Sequence, residues 1–245
     1  MKTGRAYSFA IQLVQTALLF ILSSLASFGQ ENGRFALVIG NNSYQTIQSF
    51  KNPANDADLI AGELEGNGFT VTKALNADTV KMRGLIEGFC KILPEGSIAL
   101  VYFAGHGFQF NGQNYLLPID FSLGDNNQIS PEIVTLNEVL NLMHDSENGP
   151  RLKIVVLDCC RNDPLFEEKT PVNSRSGHSG QINAGLAVPA RTPPATILCF
   201  ATDPGAVAFD GNGRNSPYTI SLSKHLFTAG VEVNEALRRV GQNVQ

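Results

Sequence analysis

The chain has 245 residues, of which 43% are hydrophobic and 16% are charged, with 23 glycines and 12 prolines. This composition excludes a disordered, collagen-like or coiled-coil chain and predicts a globular domain with a full core. The formal charge of −4 becomes −6, with 16 basic against 22 acidic residues, once residues 1–29 are left out. Nucleic acid is therefore not an expected partner, because binding to phosphates requires a basic surface.

The first thirty residues have the three regions of a secretory signal peptide. Two basic residues precede an apolar run over 9–25, and small residues follow it. Cleavage after Ala26 or Gly29 would release an exported protein, periplasmic or secreted. The alternative is an uncleaved anchor that holds the domain outside the cytoplasm, although the run is short for a membrane span. Residues 1–29 are thus assigned as a signal peptide, and residues 34–245 as the folded domain. Contact with a membrane is expected only through residues 1–29, if they are not cleaved.

Short apolar runs alternate with stretches of helical periodicity along the rest of the chain. Runs typical of buried strands lie at 35–39, 98–103, 154–157 and 195–200, and residues 69–74 alternate like a further strand. Apolar residues at i, i+3, i+4 and i+7 predict helices around 57–64, 82–89 and 233–240. This alternation predicts an α/β fold, a three-layer αβα sandwich with a mostly parallel central sheet and helices on both faces. In such sheets ligands bind at the carboxyl ends of the strands.

Two further segments have a distinctive composition. Residues 108–117 place Asn111-Gly112 between two arms that carry apolar residues, a pattern typical of a β-hairpin. Residues 167–194 lack apolar periodicity and are rich in Gly, Ser, Pro and Asn, which predicts a long flexible loop inside the domain. Loops of that length are usually functional or disordered.

A histidine and a cysteine follow two of the predicted strands. His106 lies between two glycines after the run 98–103, and Cys160 follows the run 154–157. If these strands are neighbours, their carboxyl ends bring an imidazole within reach of a thiol. Such a pair supports thiol catalysis, in which a thiolate attacks a carbonyl carbon and the histidine protonates the leaving amine. The alternative is a packed cysteine and a loop histidine that never meet.

Around these residues the sequence resembles the caspase-like cysteine peptidases, and within them the bacterial metacaspase-like and paracaspase-like members (orthocaspases). Asp158-Cys159-Cys160-Arg161 is similar to the motif around the caspase nucleophile, whose histidine lies about 50 residues upstream. Here the separation between His106 and Cys160 is 54 residues. Further matches lie, in chain order, at 34–41 with Tyr44, at 51–57, at 103–107 and at 200–210. The resemblance covers about residues 34–228, and the order and spacing of its motifs are together specific.

The resemblance implies a cysteine endopeptidase that works through a His/Cys dyad and a thioester acyl-enzyme. His106 is then the general acid/base and Cys160 the nucleophile, and the backbone N–H groups of Gly107 and Cys160 form the oxyanion hole. In the paracaspase-like pattern three acidic positions line the S1 pocket, and the matching residues here are Asp56, Asp158 and Asp210. Three carboxylates would bind a cationic side chain, so peptide or protein substrates with Arg or Lys at P1 are implied.

Each acid, and the domain as a whole, also has a plainer interpretation. Asp56 fits an N-cap or the first turn of a helix, Asp158 fits a residue that orients a loop, and Asp210 fits a turn before Gly211. The second functional interpretation is a catalytically inactive caspase-like binding or scaffold domain. Such homologues usually lack the histidine or the cysteine, and both are present here. A thiol oxidoreductase is not supported, because adjacent cysteines do not form C-x-x-C.

Self-cleavage, metal binding and dimerisation are three further properties on which the sequence bears. Family members of this kind are often processed after the cysteine strand. Arg175 is the predicted self-cleavage site, and Lys169 is the second candidate. The alternative is a solvated linker with incidental cations. No cofactor or zinc site is predicted. Calcium activation is common among metacaspases, but Asp120 and Asp125 do not belong to a recognisable calcium-binding loop. An edge strand of the sheet would allow a homodimer, as in caspases, and the sequence does not decide between a monomer and a dimer.

Overall fold

The computed structural model describes residues 33–125, 128–145, 149–160, 171–173, 179–183, 186–201 and 213–244. For Cys160, for residues 171–173 and 179–183, and for Val244, only the backbone is described. The strands are β1 (Arg34–Gly40), β2 (Thr70–Leu75), β3 (Ile98–Phe110), β4 (Gln113–Leu116), β5 (Leu152–Cys160), β6 (Pro171–Asn173), β7 (Ser179–Asn183) and β8 (Thr196–Phe200). The helices are α1 (Pro53–Gly66), α2 (Thr79–Lys91), α3 (Leu136–His144), α4 (Pro217–His225) and α5 (Val233–Val244).

Five parallel strands form the main sheet, in the order β2-β1-β3-β5-β8. Helix α1 connects β1 to β2 and α2 connects β2 to β3, so the predicted strand-helix alternation is confirmed. Strand β3 is central, with β1 on one side and β5 on the other. The carboxyl ends of β1, β3 and β5 therefore lie together at one edge of the sheet, where the site residues are expected.

Alternate residues of β1 show how the sheet is buried on both faces. Leu37 and Ile39 belong to a core cluster with apolar residues of α2 and α3, whereas Ala36 and Val38 pack with α1, α4 and α5. Because side chains alternate across a strand, each short apolar run supplies both layers of core. The predicted αβα sandwich is confirmed.

Strand β3 continues beyond the main sheet and forms a hairpin with β4. The register pairs Gly107 with Leu116 and Phe110 with Gln113. The turn residues Asn111 and Gly112 have φ of 50° and 76°, the left-handed values that a tight two-residue hairpin turn requires. The hairpin predicted over 108–117 is confirmed, and its apolar side chains form a smaller third cluster together with residues of the loop after β1.

The segment 167–194, predicted as a loop, carries the two short strands β6 and β7. Strand β7 pairs antiparallel with β6 and with the end of β3 at Gln109 and Phe110. Backbone pairing with an existing strand needs no apolar alternation, so composition gave no sign of these strands. Lys169 and Arg175, in the same segment, lie outside the described residues, as do Asp210 and residues 1–29.

Helices α3 and α4 were not predicted, although their starting signals are visible in the sequence. Thr135 caps α3 by accepting a hydrogen bond from the backbone N–H of Glu138, the spacing of a capping box. Ser216 caps α4 in the same way, and Pro217 occupies its first turn. Within the described part of the chain, no helix is long and apolar enough to cross a membrane.

Candidate active site

The register between β3 and β5 brings the predicted dyad to neighbouring positions. Ala104 is paired with Asp158, and His106, two residues further along β3, is paired with Cys160. The strands are parallel, so both residues lie at the carboxyl edge of the sheet. Of Cys160 the structure describes the backbone, which ends β5.

The imidazole of His106 is held by the loop that follows β1. Its Nε2 lies 2.8 Å from the backbone carbonyl oxygen of Gln48. A carbonyl only accepts, so Nε2 carries the hydrogen, and the neutral ring has its lone pair on Nδ1. The Phe50 ring lies 3.9 Å from the imidazole centroid at 37°, and the Tyr44 ring lies 4.6 Å away at 67°. His106 is thereby only 1% exposed.

Cys159, next to the predicted nucleophile, belongs to the core. It is buried in the cluster on the α2 and α3 face, together with Val155 and Leu157. Its Sγ would lie 3.2 Å from a Cβ at Gly107, so the thiol packs against β3 where that strand has no side chain. Cys159 is therefore a small packing residue of the core.

Asp158 is buried, and three hydroxyl groups surround one of its oxygens. Its Oδ2 accepts hydrogen bonds from Ser216 Oγ at 2.6 Å, from Thr219 Oγ1 at 2.8 Å and from Tyr102 Oη at 3.4 Å. The Tyr102 and Thr219 hydroxyls also lie 2.6 Å apart. The carboxylate therefore orients the start of α4. The plainer interpretation of this acid was that it orients a loop, and here it orients the start of a helix.

Asp56 lies in the first turn of α1 and meets the same end of α4. Its Oδ1 accepts hydrogen bonds from the backbone N–H of Ser216 at 3.0 Å and from Asn215 Nδ2 at 2.8 Å. Ser216 therefore bridges the two acids, because its N–H binds Asp56 and its hydroxyl binds Asp158. Gly40 lets the start of α1 pack closely against the end of β1, since a Cβ there would lie 2.4 Å from the carbonyl oxygen of Pro53.

Two buried tyrosines lie near these acids. Burial, followed by the charges of Asp158 and Asp56, raises the pKa of Tyr102 well above its ordinary value. Burial also raises the pKa of Tyr218 well above the ordinary value, with smaller contributions from Cys199 and Asp158. Both carboxylates bind Ser216, and a cation placed beside the two acids would be electrostatically stabilised.

The residues that hold the site were assigned no role from the sequence. The group that faces His106 Nε2 is a backbone carbonyl. Every residue has one, so the sequence gives no indication of which carbonyl it is. Tyr44 appeared only within a matching motif, and Ser216 could have been found from the Ser-Pro pair that starts a helix.

Among the described residues, no group of three or more His, Cys, Asp or Glu could hold a metal ion. Asp120 instead accepts hydrogen bonds from Thr79.

Comparison with known proteins decides the family. A family model described as the caspase domain matches residues 33–245. The chain belongs to the caspase-domain family. This caspase domain is 29% identical over 139 residues to the human mucosa-associated lymphoid tissue lymphoma translocation protein 1, and 29% identical over 139 residues to its mouse homolog. The matched stretch covers 57% of this chain and 16% of each relative. The predicted membership of the caspase-like cysteine peptidases is thereby confirmed.

Proposed function

We propose that this caspase domain is a cysteine endopeptidase that cleaves peptide bonds after Arg or Lys, with His106 and Cys160 as its catalytic pair. The observation that carries the proposal is the register, which pairs these two residues across adjacent parallel strands at the edge where α/β proteins bind ligands. Residues paired in this way lie on the same face of a sheet. The core position of Cys159 leaves Cys160 as the nucleophile of the two.

The proposed reaction divides into acylation and deacylation. The Cys160 thiolate attacks the scissile carbonyl carbon, and the oxyanion that forms accepts hydrogen bonds from the N–H groups of Gly107 and Cys160. His106 gives the leaving amine the proton that it took from the Cys160 thiol, and a thioester remains on Cys160. Water then attacks the thioester while His106 takes its proton, which releases the acid and restores the thiol. Since Nε2 faces the Gln48 carbonyl, Nδ1 is the nitrogen that exchanges the proton.

The proposed preference for a basic P1 residue is supported by the acid pair. Asp56 and Asp158 converge through Ser216, and Asp210 is the third acid of the proposed S1 pocket. A guanidinium or ammonium group that leaves water needs compensating charge, and carboxylates supply it through charge-assisted hydrogen bonds. An aspartate at P1 would instead meet like charge.

The test is hydrolysis of fluorogenic peptides that differ only in Arg, Lys or Asp at P1, with reductant present and with calcium or chelator. We expect cleavage after Arg and Lys that is lost in Cys160→Ala and retained in Cys159→Ala, the matched control at the neighbouring thiol. Cleavage after Asp would contradict the acidic S1 pocket. A folded protein that cleaves none of the peptides would contradict the peptidase and favour the scaffold interpretation.

Export and self-cleavage are proposed from the sequence. The signal-like segment 1–29 supports export, and N-terminal sequencing of the protein recovered outside the cytoplasm should then begin at Ser27 or Gln30. Self-cleavage after Arg175 should yield two fragments in the wild type, one uncut chain in Cys160→Ala, and one uncut chain in Arg175→Ala. Cutting that persists in Cys160→Ala would assign the cleavage to another protease.

A further inference from the structure

We infer that Tyr44 is a positioning residue for the catalytic histidine, and that its hydroxyl replaces a backbone partner which β1 no longer supplies to β3. The inference rests on the proposed function in assigning catalysis to His106. Its basis is a set of contacts among Tyr44, His106, Leu117 and Gly105.

The pairing of β1 with β3 ends immediately before the histidine. Gly40 is the last residue of β1 in register with β3, opposite Ala104, and the N–H of Asn41 still donates to the carbonyl of Ala104. Backbone groups on one side of a strand recur every second residue, so the next N–H of β3 toward β1 belongs to His106. A buried N–H without an acceptor is costly, and here the acceptor is Tyr44 Oη, 2.7 Å away.

The same hydroxyl joins the histidine to the hairpin. Tyr44 Oη donates to the carbonyl oxygen of Leu117 at 3.3 Å, and the N–H of Leu117 donates to the carbonyl of His106 at 3.0 Å. These bonds form a closed ring at the point where β3 exchanges β1 for β4 as its partner. Asn41 Nδ2 also donates to the Leu117 carbonyl, at 3.0 Å. Both backbone groups of His106 are thereby fixed.

Gly105 provides the space that the hydroxyl occupies. A Cβ at this position would lie 2.6 Å from Tyr44 Oη and 3.1 Å from the backbone oxygen of Asn41. A glycine lets another group approach the backbone closely. In the structure the group that comes close is the phenol of Tyr44.

Tyr44 also restrains the imidazole itself. Its ring edge lies against His106, and it meets the Phe50 ring edge-on at 6.4 Å between centroids. One residue therefore fixes the backbone of the histidine and limits rotation of its ring, which keeps Nε2 directed at Gln48. Loss of the hydroxyl alone would preserve the ring packing and release the backbone anchor. We expect this loss to affect the chemical step, because small displacements of a catalytic group lower the rate strongly.

The test compares Tyr44→Phe with Tyr115→Phe on the full chain. Tyr115 is the matched control, because its ring packs against the same cluster and is stacked on Phe108. We measure kcat and KM with a P1 Arg peptide, the thermal midpoint, and the ring ¹⁵N shifts of His106. Tyr44→Phe should lower kcat by about 10- to 100-fold with KM within about twofold of the wild type. The ¹⁵N shifts should change from the Nε2–H tautomer to a tautomer mixture, and Tyr115→Phe should match the wild type in all of these.

The two readouts separate this inference from the proposed function. Wild-type kcat together with an unchanged tautomer in Tyr44→Phe would overturn the positioning role. An equal loss in Tyr115→Phe would also overturn it, because the effect would then belong to the cluster as a whole. If the wild type cleaves no peptide, the peptidase proposal fails, and the ¹⁵N shifts alone decide whether Tyr44 holds the ring.

Discussion

His106 and the acid pair lie at the same edge of the sheet but are held by different kinds of contact. The histidine is held by one continuous loop, through a hydroxyl, two aromatic rings and the backbone carbonyl of Gln48. Asp56 and Asp158 are held by α4, mainly through the backbone N–H and the hydroxyl of Ser216. One arrangement therefore depends on the conformation of a loop, and the other on the start of a helix.

Rate and specificity should therefore respond to separate sets of substitutions. Changes in the loop over 41–50 displace the proton-transfer group and leave the carboxylates in place. Changes at the start of α4 disturb the carboxylates and leave the imidazole on Gln48.

The largest effect is expected at the histidine. His106→Ala should lower kcat/KM for a P1 Arg peptide by about 10²- to 10⁴-fold, because general acid–base catalysis contributes that much. His144→Ala is the matched control, since His144 is exposed in the last turn of α3. Activity retained in His106→Ala would contradict the catalytic role of this residue.

The acid pair should govern the choice of substrate. Asp56→Asn and Asp158→Asn should each lower kcat/KM for P1 Arg by about 10- to 100-fold, because a hydrogen bond to a charged group contributes about 1.5–3 kcal/mol. Asp58→Asn is the control on the same helix, since Asp58 is exposed and pairs with Lys73 at 2.6 Å. If the Arg preference survives in both acid variants, the S1 pocket lies elsewhere.

A smaller effect, on stability, is expected at the bridging serine. Ser216→Ala removes the cap of α4 and one donor to a buried carboxylate, so the free energy of unfolding should fall by about 2 kcal/mol. Urea unfolding measures the change. Ser223→Ala, which removes an exposed hydroxyl from the same helix, should stay within about 0.5 kcal/mol of the wild type. Equal losses in the two variants would contradict the special position of Ser216.

The smallest effect concerns Glu235 on α5, which pairs with two arginines of the same helix. Hydrogen bonds from Arg238 and Arg239 lower the pKa of Glu235 from 4.5 to about 2. Because the folded-state pKa is lowered, the stabilisation is present above pH 4.5 and is lost as the pH falls toward 2. Glu235→Gln should abolish this part of the acid dependence, with a smaller shift of the urea midpoint than Ser216→Ala gives. An unchanged acid profile would contradict the pair.

The sequence predicted those features that depend on residue type and spacing. The apolar runs of β1, β3 and β5 and the Asn111-Gly112 turn have side-chain signatures, and the structure confirms them. The strands β6 and β7 pair through their backbones and left no such signature. The Gln48 carbonyl is likewise a backbone atom, brought to His106 by folding over 58 residues of separation. Tertiary contacts of this kind follow from the fold and not from a local pattern.

His106 and Cys160 are proposed to act as one pair, and alkylation tests this pairing without any substrate. The native protein and His106→Ala are treated with iodoacetamide at pH 6.5, and modification of each cysteine is followed by mass spectrometry. Cys90 and Cys199 are internal controls, because burial raises the pKa of each thiol to about 12. We expect Cys160 to react at least about tenfold faster in the wild type than in His106→Ala, since a neighbouring histidine favours the thiolate. Equal rates at Cys160 in the two proteins would contradict the pairing.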